Sequence, residues 1–327
     1  MKCHRCERLS GGTLIISKQQ DVTEAVLSEI QRAPDARFRE IMTSAVRHLH
    51  DFARECRLTE AEFQKACGVV AKLGQLTTPS HNEVVLAAGA TGLSSLVCLL
   101  NNGDNGQTET TANLVGPFWR TDSPITENGG SIVRGDTPGV PVFVNGWVRE
   151  MNGDPIEDAE IEIWHTSSEG FYENEDPEQP DMNLRGRFRS DAAGHFWFQS
   201  IKPASYPIPV AGPVGDFLRA QGRHNLRPAH IHFMTYKPGY KIQFSQVFSS
   251  DDPNLETDVV FAVTRALIGN YVLHKGEPAP WGKVDGCWYS MDYTFKLERG
   301  ETKRPTPPIT GKFAGNRPVW TVLERTS

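Results

Sequence analysis

The chain has 327 residues, of which 38% are hydrophobic and 23% charged, with a formal net charge of -6. This is the composition of a globular protein with one large domain or two smaller ones, and its interspersed acids and bases exclude the broad basic field that nucleic acid requires. A small-molecule ligand is the better expectation. The opening Met1-Lys2-Cys3-His4-Arg5-Cys6 lacks the apolar core of a signal peptide, and no stretch reaches the ~18 consecutive apolar residues of a membrane span, so a cytoplasmic location is expected. The six cysteines follow no framework spacing, as reduced thiols do not. Cys3 and Cys6, lacking the second pair of a tetrahedral zinc site, read as part of an N-terminal tail over residues 1–20.

Residues 21–120 read as a helical region with a linker. Phe38, Ile41, Met42, Ala45, Val46, Leu49, Phe52 and Ala53 recur at the spacing of one helical stripe. Thr59 with Glu62, and Ser80 with Glu83, have capping-box spacing and mark two further helix starts. The second opens the apolar segment from Val84 to Leu100, with Gly89 and Gly92, which is expected to be buried and closely approached. His48 and His50 lie two apart on a helical pattern, where side chains do not face each other, and read as surface.

From about residue 121 to 300 the texture is β. Val140 to Val148, Ala159 to Trp164, His195 to Phe198, His230 to Thr235, Ile242 to Phe248, Val259 to Val263 and Met291 to Leu297 read as strands, and Asn152-Gly153 as a hairpin signal. Short strands without interleaved long helices imply an antiparallel β-sandwich. The fold expected is therefore mainly β with an α-helical N-terminal region. The tail over residues 301–327, rich in proline, is expected to run extended and to be pinned by Val319, Trp320 and Val322.

The chemistry gathers at Arg227-Pro228-Ala229-His230-Ile231-His232-Phe233. On a strand, side chains two apart share a face, so His230 and His232 converge while Ile231 and Phe233 turn away. Two imidazoles are half of a metal site, compatible with zinc, copper, nickel or iron. Tyr172, after Gly170-Phe171, and Tyr206, in Tyr206-Pro207-Ile208-Pro209, stand in unusual contexts. A phenolate is a hard anionic donor that favours a trivalent cation, and two phenolates with one hydroxide would balance Fe(III) in a buried site. Taken singly, each tyrosine is more simply a core residue with a wet hydroxyl.

Gly170-Phe171-Tyr172, Asn183-Leu184-Arg185-Gly186-Arg187-Phe188, Tyr206-Pro207-Ile208-Pro209 and the Arg227 to Phe233 segment together resemble the intradiol ring-cleavage dioxygenases, the catechol and hydroxyquinol 1,2-dioxygenases. The resemblance runs in order from about Val22 to Leu297. It implies one non-haem Fe(III) per subunit, held by Tyr172, Tyr206, His230 and His232, and a reaction of an aromatic diol with O2 that opens the ring to a muconate-type diacid. Arg227 would stabilise negative charge on the substrate, Tyr206 would take a substrate proton, and Gln246 would be a second polar residue of the pocket. Gly116, Pro117, Phe118, Ile208, Pro209 and Val260 would form its walls. The resemblance further implies a homodimer through the N-terminal helices, with lipid bound there in some members.

The aromatic after Gly116-Pro117 favours hydroxyquinol, giving maleylacetate or hydroxymuconate, over catechol, giving cis,cis-muconate. Against this, the helix position that lends hydroxyquinol enzymes a polar residue falls nearest Gly89. A reading from another class is a non-enzymatic β-sandwich binding module with a structural metal. His165, His195 and His224 read as solvent-facing, and Glu173 to Glu178 as a solvated loop without the oxygen spacing of a calcium site.

Overall fold

The computed structural model describes residues 15–78, 81–102 and 111–326; Cys3, Cys6 and Ser80 lie outside them. Contacts divide the chain into two compact units, one up to Val70 and one from Ala71 onward. In the first, α1 (Gln19–Ile30) packs on α2 (Ala36–Cys56). Asp35 caps α2 by accepting from Arg37 N and Phe38 N, and Arg57 closes it in the left-handed region, a regular helix stop. His50 is half-buried, with Nδ1 2.9 Å from the Thr23 hydroxyl, while His48 is exposed. The helix α3 (Glu60–Gln75) begins with the expected reciprocal cap, in which Thr59 N donates to Glu62 and Glu62 N donates to the Thr59 hydroxyl.

The second unit opens with α4 (Glu83–Ala90) and α5 (Leu93–Asn102), bent by 76° at the break between them. Among the described residues no single helix is long and apolar enough to cross a membrane. The cap of α4 is Asn82, whose Oδ1 accepts from Val85 N. Glu83 turns inward, accepting from Val214 N and pairing with His81. The expected burial of this segment holds only in part. A Cβ at Gly89 would come within 3.0 Å of Val260, but Val84, Val85, Leu93, Leu96, Val97 and Leu100 are exposed on the chain alone.

The rest is a sandwich. Its strands are β1 (Pro141–Glu150), β2 (Glu160–His165), β3 (Arg185–Arg189), β4 (His195–Ile201), β5 (Tyr206–Pro207), β6 (Leu226–Arg227), β7 (His230–Tyr236), β8 (Gln243–Ser249), β9 (Ile268–Gly269), β10 (Tyr271–Lys275) and β11 (Cys287–Leu297). A short helix, α6 (Pro213–Ala220), lies between β5 and β6. One sheet has the order β10-β11-β1-β4, the other β3-β2-β7-β8-β9, and β5 pairs with β6 apart from both. The sandwich is mixed, not wholly antiparallel: β1 runs parallel to β11, and β8 to β9. These partners are far apart in sequence, so no hairpin constrains their direction. Val259 to Val263 is turn and coil instead of a strand.

Between the sheets lies one core, with Val142 and Val144 of β1, Phe196 and Phe198 of β4 and Phe295 of β11 meeting Ile161 and Ile163 of β2 and Ile231 and Phe233 of β7. The outer face of the five-stranded sheet is covered as well, so β2 is buried at every residue. There Trp164, Met234 and Phe248 join a second cluster with Tyr172, Tyr206, Ile208, Val214, Leu218 and Val260. A sheet covered on both sides can hold polar groups away from water, and the candidate site lies on this outer face.

Candidate active site

The period of β7 decides the geometry. Ile231 and Phe233 enter the inter-sheet core, while His230 and His232 point to the outer face, as a pleated strand requires. His232 lies opposite Gln246 of β8 and Trp164 of β2. The Trp164 indole stacks on its imidazole at 4.8 Å and 11°. On the other side, a Cβ at Gly116 would come within 3.1 Å of His232 Cε1, and Gly116 has a φ of +72°, so only glycine passes here without strain. His230 is oriented by its backbone: Nδ1 lies 2.7 Å from the Pro228 carbonyl. That nitrogen carries the proton, which leaves the Nε2 lone pair facing the site.

The tyrosines arrive on two loops. Tyr172 follows a tight turn in which Gly170 N donates to Ser167 O. Gly170 sits at φ +83°, and a Cβ on it would meet Tyr206 Cβ at 3.0 Å. Tyr206 is fixed from the other direction, because β5 pairs it with Arg227 of β6. The result is four donor atoms around one point. Tyr172 Oη lies 2.9 Å from His232 Nε2, 3.5 Å from His230 Nε2 and 3.5 Å from Tyr206 Oη. The two Nε2 atoms are 3.1 Å apart.

These separations fit a shared cation. With metal–donor bonds of about 2.0–2.1 Å, neighbouring donors 90–120° apart are separated by about 2.9–3.6 Å. Among the described residues, no group of three or more His, Cys, Asp or Glu side chains is placed to hold a metal, so the tyrosines are indispensable to such a site. All four rings are buried. Burial holds both imidazoles well below their ordinary range, aided at His230 by Arg227 and at His232 by His230. Burial also raises both phenols, Tyr172 further through Tyr206, while Arg227 opposes the rise at Tyr206. Neutral imidazoles are ready ligands, and the phenols need a cation to ionise.

Arg227 is anchored by Asp258, whose Oδ1 accepts from Nε at 3.2 Å, and by Gln246 Oε1, which accepts from Nη2 at 2.7 Å. Its Nη1 lies 3.4 Å from both Tyr206 Oη and His230 Nε2. Gln246 in turn donates from Nε2 to the Leu114 carbonyl. Burial works against the guanidinium's charge, but Asp258 and Tyr206 outweigh it and hold Arg227 above its ordinary range. Above these groups opens a cavity of about 440 Å³, whose wall includes Gly116, Pro117, Phe118, Ile208, Pro209 and Val260. All six wall residues expected from the sequence therefore reach one cavity, together with Tyr206, Arg227 and Gln246.

Comparison with known proteins gives the arrangement a context. The family model described as "Dioxygenase" matches residues 114–297, and that described as "Catechol dioxygenase N terminus" matches residues 35–109. The chain belongs to the intradiol ring-cleavage dioxygenases. It is 38% identical to a 6-chlorohydroxyquinol 1,2-dioxygenase of Cupriavidus pinatubonensis, over 85% of this chain and 97% of that protein. It is 36% identical to a catechol 1,2-dioxygenase of Candida albicans, over 85% and 92% respectively. The solved hydroxyquinol 1,2-dioxygenase of Pseudomonas putida superposes with a TM-score of 0.77 at 36% identity, covering 86% of this chain and 99% of that one. An enzyme family thus replaces the non-enzymatic binding module.

Within the family frame, several residues depart from their sequence reading. Of the expected solvated loop Glu173 to Glu178, only Pro177 and Glu178 are exposed; Glu173, Asn174 and Asp176 are buried. Glu173 accepts from Arg185 Nε at 2.6 Å and pairs with Arg120 at 3.1 Å, Asn174 accepts from Arg185 Nη2, and Asp176 pairs with Arg317 at 2.9 Å. Glu173, Asn174 and Asp176 are the inner lining of the Tyr172 loop, paired with arginines that no local pattern announces. His165 is buried, with Nδ1 on the Thr166 carbonyl and Nε2 on the Ser200 hydroxyl, and burial lowers it to about 4. His224 is also buried, against Thr257, and His195 is half-buried between Trp147 and Trp197.

Sequence reasoning also missed Asp258, Trp164, Glu175 and the role of Trp320. Trp320 lines the cavity and stacks on Phe171 at 5.2 Å and 18°. Arg317, beside it, lies over the same ring at 4.4 Å. These two pin the tail; Val319 and Val322 are exposed. Glu175 is half-buried on the cavity wall, and burial pushes its carboxyl up to about 8.

Proposed function

We propose that this dioxygenase cleaves an aromatic diol between its two hydroxyls at an Fe(III) centre, one per subunit, held by Tyr172, Tyr206, His230 and His232, with hydroxyquinol preferred to catechol. The observation that carries the reading is the convergence of two phenols and two neutral imidazoles beside a largely apolar cavity that Tyr206 lines. When bound, the ion supplies Lewis acidity and an electronic path between diol and O2. The residues do the rest. Tyr206, hydrogen-bonded by Arg227, would be a phenolate beside the bound cation and would take a proton from the entering diol on that oxygen, becoming a neutral phenol. Arg227, held in place by Asp258 and Gln246, offers fixed positive charge to the electron-rich ring. The apolar walls exclude water, which strengthens that interaction.

Catechol is the second reading, favoured by the apolar face that α4 turns to the cavity at Val85, Leu86, Ala88 and Gly89. A homodimer through the N-terminal helices, with lipid held there, and a cytoplasmic location complete the proposal. It is supported by the apolar residues of α2 left exposed, Phe38, Ile41, Leu49 and Phe52.

The test is an absorption spectrum of iron-loaded protein, alone and under anaerobic titration with hydroxyquinol and with catechol, followed by admission of O2. A visible phenolate-to-iron band that shifts with diol and decays to a ring-opened diacid is expected. Tyr206→Phe should lose part of that band and at least about a hundredfold in turnover, the scale of a positioned proton acceptor. A colourless protein with verified bound iron would sink the two-phenolate site.

A further inference from the structure

We infer that Glu175 is a specificity-determining residue that selects diols whose ring carries a hydrogen-bond-donating substituent, a third hydroxyl above all. The inference rests on the intradiol-cleavage reading above. Among the described residues Glu175 is the one acidic side chain on the cavity wall; its carboxyl has no ion-pair or side-chain hydrogen-bond partner among them and lies against the backbone N–H of Tyr172, which leaves acceptor capacity for a substrate. Several other polar groups there are engaged: Arg227 with Gln246 and Tyr206, Asn82 with the start of α4, and His81 with Glu83.

Position makes the carboxyl relevant to substrate. The backbone N–H of Glu175 donates to the Tyr172 carbonyl at 3.0 Å, so the residue sits one turn beyond a proposed ligand. A diol fixed by its two oxygens at the four donors must extend its ring into the cavity that Glu175 helps to line. That cavity, about 440 Å³, is in the range that accommodates drug-sized ligands and is larger than a bare diol needs. Its far wall is supplied by the tail. Trp320 is locked onto Phe171, and the Phe313 N–H donates to the Asn174 carbonyl, the residue before Glu175.

Chemistry then sets the preference. A carboxyl accepts from a hydroxyl in either protonation state. Covering it with a methyl group leaves a desolvated polar group without a partner, which is costly. Sites built to bond a substrate hydroxyl reject the analogue that lacks it, so discrimination should follow the donor and not ring size.

The experiment compares iron-loaded wild type, Glu175→Gln and Glu175→Ala on hydroxyquinol, catechol and 4-methylcatechol. It measures kcat/KM and anaerobic dissociation constants from the spectral shift. For Glu175→Ala, the hydroxyquinol-to-catechol ratio should fall about tenfold in both quantities. Glu175→Gln keeps an acceptor oxygen and should fall by less. Equal losses on all diols, or unchanged ratios, would overturn the inference and leave Glu175 a support of the Tyr172 loop. If the alanine variant does not fold, the glutamine variant decides alone. Wild type that neither shifts with nor cleaves any diol would overturn the functional reading instead.

Discussion

Arg227 combines two demands that pull in opposite directions: it must stay charged in a buried place, and it must leave one face free for substrate. Asp258 and Gln246 meet the first by occupying Nε and Nη2, and Nη1 is left toward Tyr206 and His230. Arg227→Gln should therefore lower turnover by about a hundredfold or more while iron content stays near one per chain, since none of the four donors is removed. It should also cost about 3 kcal/mol of stability, the low end for a broken buried pair, because Asp258 loses its cation and keeps only the backbone N–H groups of Val260 and Ala262. Iron analysis alongside steady-state rates checks this, and parallel loss of both would make Arg227 purely structural. His165 makes a different prediction. Burial lowers it from 6.5 to about 4 in the folded chain, so below pH 6.5 the unfolded chain binds a proton that the folded chain does not. Stability is then lost as pH falls from about 6.5 to 4, by about 3 kcal/mol for this group. Subtracting denaturation curves of His165→Gln from those of wild type, from pH 7.5 to 4.5, should isolate that slope. At this scale the histidine pair and the two tyrosines were legible because strand period and compact motifs carry them. Asp258 and Trp164 were not, since each meets its partner only through the sheet and the loops around it.

Elements supply the rigidity those residues need. Strand β7 is buried on both faces, so its histidines cannot turn without unpacking Ile231 and Phe233 from the inter-sheet core. The loop after β2 has no such sheet to hold it and relies on Arg120, Arg185 and Arg317. The tail bearing Arg317 and Trp320 lies outside the matched family segments, which end at residue 297, yet it clamps the loop that presents Tyr172. Deleting residues 310–327 should lower the melting temperature by several degrees and speed iron loss to a chelator, while far-ultraviolet circular dichroism keeps its shape. Unchanged iron release would show that the loop holds itself. Strands with alternating or β-branched runs were legible in the sequence, as in β1, β7 and β11. The five-residue β3, Arg-Gly-Arg-Phe-Arg, was not, because its three arginines hide a strand that pairs with β2. Val259 to Val263 carries the residues of a strand, but the carboxylate of Asp258 takes up the N–H of Ala262 and the segment turns.

At the scale of the molecule, the surface left uncovered is the informative part. The stripe that marks α2 in the sequence is present as a helix face, yet no residue of α2 is buried, and Phe38, Ile41, Leu49 and Phe52 are each half exposed or more. A contiguous apolar face of this kind is rare on a monomer and marks an interaction surface. A second copy of the chain can cover it by laying the same stripe against its counterpart, because a two-fold interface is self-complementary. The proposed dimer therefore predicts a particle of twice the chain mass in light scattering coupled to size exclusion. Leu49→Glu with Phe52→Glu should shift it toward monomer, since each charge would have to be buried without a partner. The four donors all belong to one chain, so iron binding in the monomeric variant should persist and its visible band should remain. Retention of the dimer by the double variant would move the interface elsewhere. Loss of iron on dissociation would mean that the partner subunit holds the site together.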